Sequence, residues 1–313
     1  MMLQVQKNKR SSRIRQDRVS GIYTVFIRVF VTFITLIILY PLYFCVIASF
    51  SDPNAVALGD TILWCRGFTL EAYKLVFRES QIWVGYGNSF IYMVAGTAYN
   101  ICLTIPAAYV CSKKYLPGRK FILWFFFVTM YIGGGLIPTY LWKRQLGLVN
   151  NPLVMIVGAG VSGYYLIVAR QYFLTSIPDS LYEAAEIDGA SEFVRFMRIG
   201  LPLAKPIIAV ITLYYAFGIW NSYYTALIYL KKQSQWPLQL VLRQILIANE
   251  NALSNAGDAI HDDTVTEYLV YRLYQVRGMK YAIILIASVP MLIMYPFVSK
   301  YFMQGVMVGS VKE

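Results

Sequence analysis

The chain has 313 residues, of which 58% are hydrophobic and 14% charged, with a formal net charge of +12. A soluble domain is normally about one quarter charged, so this composition excludes one and calls for surface that faces lipid. The Lys and Arg residues cluster beside apolar runs instead of along one polar face, which points to membrane topology and away from nucleic acid.

In chain order, residues 1–22 form a basic segment carrying Lys7, Lys9, Arg10, Arg13, Arg15 and Arg18. Six apolar runs follow: Val29 to Phe50, Ser89 to Val110, Phe121 to Leu141, Pro152 to Ala169, Pro206 to Leu230 and Tyr281 to Ser299. At about 1.5 Å rise per helical residue, roughly 20 residues cross a bilayer core of roughly 30 Å; the fourth and shortest run can borrow Gln171 to Leu174. The expected fold is an all-α integral membrane protein, with a six-helix domain over 23–300 and a tail over 301–313. None of the six runs contains Asp, Glu, Lys or Arg. Ion-coupled carriers keep such groups at membrane depth to hold the coupling ion, so a stand-alone channel or ion-coupled carrier is the weaker alternative. The first run has 22 residues, longer than the apolar core of about 7 to 15 in a cleaved signal peptide, and is read as an uncleaved first helix.

Lys and Arg accumulate on the cytoplasmic side. The N-terminal segment and the loop holding Lys113, Lys114, Arg119 and Lys120 are therefore expected inside. Six spans then put the C-terminus inside as well and make 170–205 a cytoplasmic loop. The long segments 51–84 and 231–278 fall outside. The second of these has Leu238, Val241, Leu242, Ile245 and Leu246 at helical spacing behind Pro237, then a polar stretch, Asn249 to Asp263, then a Tyr- and Leu-bearing piece up to Arg277. The pattern predicts a helix, a mobile tip and a second short helix.

Several signals carry little. Cys45, Cys65, Cys102 and Cys111 lack CxxC spacing, so no disulfide framework or metal site is expected. His261, the sole histidine, lies among Asp258, Asp262 and Asp263 and reads as a solvated loop residue. Gly158, Gly160 and Gly163 spell GxGxxG, but inside an apolar run, where Ala159 and Gly163 read as a small-residue packing surface. No G-x-x-x-x-G-K-[ST] occurs, so this chain is not expected to bind ATP through a P-loop, and any ATP-driven role would need a separate subunit. In the fifth run, Trp220, Asn221, Ser222, Tyr223 and Tyr224 mix aromatic faces with amides and hydroxyls, a combination that suits sugar rings. Hydrogen bonding between helices explains Asn221 and Ser222 equally well. On a continuous helix Trp220 shares a face with Tyr223 and Tyr224, and Asn221 stands apart.

The loop 170–205 contains Glu183-Ala184-Ala185, then Gly189, then Ile199-Gly200-Leu201-Pro202. Ser180 and Glu183 are spaced as a capping box, Gly189 as a C-cap and Ser191 as the start of a second helix, which predicts a hook of two short helices. E-A-A-x3-G-x9-I-x-L-P is matched at each fixed position, and by it the chain resembles the permease subunits of ATP-binding-cassette importers. Ile177-Pro178-Asp179 and Ile187-Asp188-Gly189-Ala190-Ser191 are similar to the carbohydrate-uptake branch, close to the maltose-type second permease. The run Gly133 to Tyr140, and Trp220 to Ser222 with Trp236 to Leu240, resemble its lipoprotein-named and alginate-type members.

The resemblance implies a bacterial cell-membrane permease for oligosaccharides that carries no cofactor and has no enzymatic activity of its own. Its implied partners are a second homologous permease, two ATPase subunits that bind ATP and Mg, and an extracellular solute-binding protein. The coupling residues it implies are Glu183, Ala184, Ala185, Asp188, Gly189, Ile199, Leu201 and Pro202, with Glu183 meeting a basic residue of the ATPase. The loop 231–278 would reach the binding protein and the tail the ATPases, although the tail departs from the family pattern at Gln304 and Glu313. Trp220, Asn221, Tyr223 and Tyr224 are the candidates for the sugar path.

Overall fold

The computed structural model describes residues 2–158, 160–258 and 279–296, and among these every regular element is helical. The chain divides into two compact units, Met1–Lys74 with Asp263–Leu285 and Leu75–Asp262 with Ile286–Glu313. His261, the predicted loop tip beyond Asp258 and the tail 301–313 lie outside the described residues.

In the first unit, α1 runs over Met2–Ser49, and its part Tyr23–Ser49 is apolar enough to cross a membrane. The basic segment is thus a helical extension of the first span. After it, α2 (Pro53–Ala57) is started by Asp52, whose carboxylate accepts from Asn54 N at 2.7 Å. Phe50 is stacked against Phe68 and Tyr73, with centroids 5.9 and 5.2 Å away, and the Tyr73 hydroxyl donates to Ser49 Oγ at 2.8 Å. This small aromatic core orders the segment that follows the first span. Helix α3 (Glu71–Arg78) crosses the boundary between the units.

The second unit is organised around α4 (Ser80–Ser112), 33 residues long, which places α5 (Arg119–Tyr131), α7 (Leu153–Val157), α8 (Gly163–Thr175), α12 (Lys205–Trp220) and α14 (Leu238–Asp258) around itself. Polar residues on its buried side bond to these neighbours: Ser89 Oγ accepts from Leu238 N at 2.8 Å, and Thr104 and Tyr215 hydroxyls lie 2.8 Å apart. The remaining elements are α6 (Leu136–Gln145), α9 (Asp179–Ile187), α10 (Glu192–Arg195), α11 (Leu201–Leu203), α13 (Tyr223–Tyr229) and α15 (Met279–Pro296), the last shared between the units.

Three of the six apolar runs are not the continuous helices expected. The third breaks after Tyr131 and turns by 119° into α6, because Gly133-Gly134-Gly135 offers no side chain to pack and Gly135 takes a positive φ of 79°. The fourth breaks between α7 and α8, and the fifth at Asn221 and Ser222. Hydropathy averaged over a run is blind to such interruptions, since glycine and single polar residues barely lower it. Among the described residues three helices are long and apolar enough to cross a membrane, Tyr23–Ser49, Ser80–Ser112 and Met279–Pro296, rising to five if each of two bent pairs is one span. Gly163 does pack closely, since a methyl group there would lie 2.8 Å from the Phe126 carbonyl oxygen of α5. Finally, α14 continues unbroken to Asp258, so the stretch predicted as a mobile tip starts as helix.

Candidate functional site

The hook forms from local signals. Helix α9 starts at Asp179 after Pro178, and no side chain caps it; the expected Ser180–Glu183 capping box is not made, because Pro178 holds the cap position and Ser180 already lies in the first turn. The helix ends as expected. Gly189 has φ 78°, Ala190 N donates to Ala185 O at 2.9 Å and Gly189 N to Glu186 O at 3.0 Å, the paired bonds of a Schellman turn. Ser191 then starts α10, its Oγ accepting from Val194 N at 3.4 Å. The chain widens into a π-turn at Phe196–Gly200 before α11 and the bend of 77° into α12.

The signature splits into two faces. Glu183, Ala184 and Asp188 are exposed and Ala185 half-buried, beside Ile187 and Phe193, which are 87% and 67% exposed. Ile199 and Leu201 point the other way, into a core of Tyr109, Phe173, Tyr182 and Phe196, while Pro202 stays on the surface. Gly200 is where that core comes closest, since a methyl group there would meet Tyr109 Cε2 at 3.2 Å and the Tyr182 hydroxyl at 3.3 Å. One half of the motif is thus an outward face, and the other fixes that face to the protein.

A charged cluster reinforces this anchor. Glu192 accepts from the Tyr109 hydroxyl at 2.7 Å, pairs with Arg195 at 2.7 Å and lies 4.0 Å from Lys113 Nζ, while Arg195 also reaches Glu186 at 2.5 Å. The Lys113 ammonium sits 3.3 Å from the centroid of the Tyr182 ring. Burial pulls the Lys113 ammonium below its ordinary pKa against the opposing charge of Glu192. Burial, then the charges of Glu192 and Asp179, push the Tyr182 phenol up to about 12, so it stays protonated at neutral pH. Sequence reasoning missed this cluster because Lys113 read as a topology charge and Glu192 as a helix-start acid; nothing in the linear pattern joins them across 79 residues.

The four proposed pathway residues do not form one face. Trp220 is 2% exposed, donates from Nε1 to Ala287 O at 3.1 Å and lies 6.1 Å from the Tyr86 ring, which is the packing role. Asn221 is exposed and caps its own helix through Nδ2 to Phe217 O at 3.0 Å. Tyr223 and Tyr224 stand on α13, beyond the break, and are exposed. The continuous-helix reading that paired them with Trp220 is corrected by that break.

A cavity of about 320 Å³ opens nearby within the second unit, lined among others by Asn100, Lys143, Ser162, Tyr165, Tyr214 and Tyr215. Tyr215 is fixed by Thr104 and by Ser162 N, 3.1 Å away, and Tyr165 stacks on Tyr214 at 5.8 Å. Asn100 is 1% exposed, and neither its amide nitrogen nor its oxygen has a partner among the described residues. Leaving a buried polar group unpaired costs about 1–3 kcal/mol, so the Asn100 amide has hydrogen-bonding capacity to offer at the cavity. Lys143 escaped notice because it stands two residues past the third apolar run. The bend at the triple glycine returns it toward α7.

Residues 82–308 match the profile of the binding-protein-dependent transport system inner membrane component family. The chain is 37% identical over 276 residues to Protein LplC of Bacillus subtilis (strain 168), covering 88% of this chain and 90% of that protein. It is 34% identical over 283 residues to the polygalacturonan/rhamnogalacturonan transport system permease protein YtcP of the same strain, covering 90% and 96%. A chain in the crystal structure of a bacterial ABC transporter involved in the import of the acidic polysaccharide alginate superposes with a TM-score of 0.77 at 31% identity, covering 92% of this chain and 98% of that one.

Proposed function

Because the chain belongs to the family of binding-protein-dependent transport system inner membrane components, and so is a permease subunit of an ATP-binding-cassette importer in the cell membrane and not an enzyme, we propose that it imports oligosaccharides as half of a two-permease pore. Its partners in this reading are a second homologous permease, two ATPase subunits that bind ATP and Mg, and an extracellular solute-binding protein that delivers the sugar. The names of the relatives, with polygalacturonan, rhamnogalacturonan and alginate among their cargoes, support the sugar class.

The coupling part is carried by one observation: Glu183 stands exposed on a hook whose other side is fixed to the end of α4. A hook held in this way moves as a body when an ATPase cleft closes on it, and can switch the pore between inward and outward states. The loop 170–205 is then cytoplasmic, and 231–278 is the external loop that meets the binding protein. Six spans with both termini inside follow if each bent pair counts as one crossing and 153–175 as another.

Purified from membranes, the chain is expected to bring the second permease and both ATPases with it, and the ATPase activity should rise when sugar-loaded binding protein is added. A chain that purifies alone and conducts without ATP would end this reading. For topology, cysteines placed in 113–120 should react with a membrane-impermeant reagent only after the membrane is opened, and those in 251–258 on intact cells. Equal access to both sites would contradict the six-span arrangement.

A further inference from the structure

We propose that the cavity beside α4 is a subsite for a carboxylated sugar unit, in which Lys143 receives the carboxylate, Asn100 the neighbouring hydroxyls and Tyr165 with Tyr214 a ring face. The proposal rests on the importer reading above and adds to it the chemical class of the cargo.

The charge balance of the cavity is the first reason. Among the described residues Lys143 is the one charged residue of its lining, with no Asp or Glu beside it. Among the described residues the ion pairs leave Lys143 out, and its ammonium instead lies 4.7 Å from the centroid of the Tyr229 ring. A ring face takes up part of the charge but accepts no ordinary hydrogen bond, so donors remain for an anionic acceptor. Lys143 stands in the last turn of α6, just past the end of the third apolar run, and lines the cavity.

Asn100 is the second reason. Its fully buried amide offers two donors and an acceptor with no protein partner among the described residues, a set that matches adjacent sugar hydroxyls and not an aliphatic cargo. The tyrosine stack completes the site, since an aromatic face covers the apolar face of a sugar ring. At about 320 Å³ the cavity is at the lower edge of ligand pockets, about 300–1,000 Å³, which suits part of a passing chain.

The test uses the complete importer in vesicles, with uptake counted per assembled complex. The probes are short oligosaccharides of hexuronic acids, their methyl esters, which keep the skeleton and remove the charge, and neutral oligosaccharides of equal length. The parent complex should favour the acids. Lys143→Met should lower the acid-to-ester uptake ratio about tenfold or more, the scale of one charge-assisted bond, and Lys143→Arg should retain it. Because the binding protein is the same throughout, its own selectivity cancels in the comparison. A parent that takes up only neutral sugars or esters, or a ratio that Lys143→Met leaves unchanged, overturns the proposal. Uptake of no sugar by an assembled parent complex counts instead against the oligosaccharide reading beneath it.

Discussion

Replacing Glu183 with lysine is expected to abolish coupled transport while leaving the chain in the membrane with its helices intact. The reason lies in how the hook distributes its carboxylates. Glu186 and Glu192 both hold Arg195, whereas Glu183 is exposed and takes part in none of the ion pairs among the described residues. A carboxylate kept out of the local network is available to a partner. A charge-assisted bond across an interface is worth about 1.5–3 kcal/mol, and a lysine replaces that attraction with repulsion, so ATPase bound per permease should fall at least tenfold. Glu183→Gln, which keeps a hydrogen-bond acceptor, should fall less. The measurement is ATPase recovered with the purified permease together with uptake per complex; parental values for the lysine variant would remove Glu183 from the interface.

The second large effect is expected at Gly200. Its added methyl group would already press on Tyr109 and on the Tyr182 hydroxyl, and Tyr109 has little room to yield. That ring is held by Phe196 at 4.8 Å, Phe173 at 5.5 Å and Tyr182 at 5.9 Å, with Lys113 over its face at 4.5 Å. Valine at position 200 should therefore push the hook off its anchor at a cost of about 1–3 kcal/mol, and alanine should cost less. The readouts are the thermal stability of the purified complex and sugar-stimulated ATP hydrolysis. Gly200→Val at parental stability and activity would mean that the hook is not anchored through this contact.

The hook was legible in the sequence because its parts are local: a Gly with positive φ, a Ser at a cap and an Ala-rich turn each act within four residues. The long apolar runs also located α1, α4 and α12, and the helical spacing behind Pro237 located α14. What the sequence left open were choices between competing local signals and events that depend on the partner element. The capping box failed because Pro178 had already taken the cap, and the fifth run breaks where Asn221 and Ser222 turn to their own backbone carbonyls at Phe217 and Ile219. Trp220 looked like a sugar platform because its type suits one; burial against α15 made it a packing residue. Lys143 and Glu192 were invisible for a complementary reason. Each gains its meaning from residues far away in the chain, Asn100 for one and Lys113 for the other.

Helix α4 carries Asn100 and ends just before Lys113. Asn100 faces the cavity, and Tyr109, nine residues later, is in the anchor of the hook, about 13–14 Å along the same axis. Between them stands Pro106, which cannot donate to the Cys102 carbonyl and so leaves the helix softest at that point. In the proposed importer the rod between cavity and hook is therefore jointed, and its stiffness at Pro106 would set how much of a twist given at the hook arrives at the cavity.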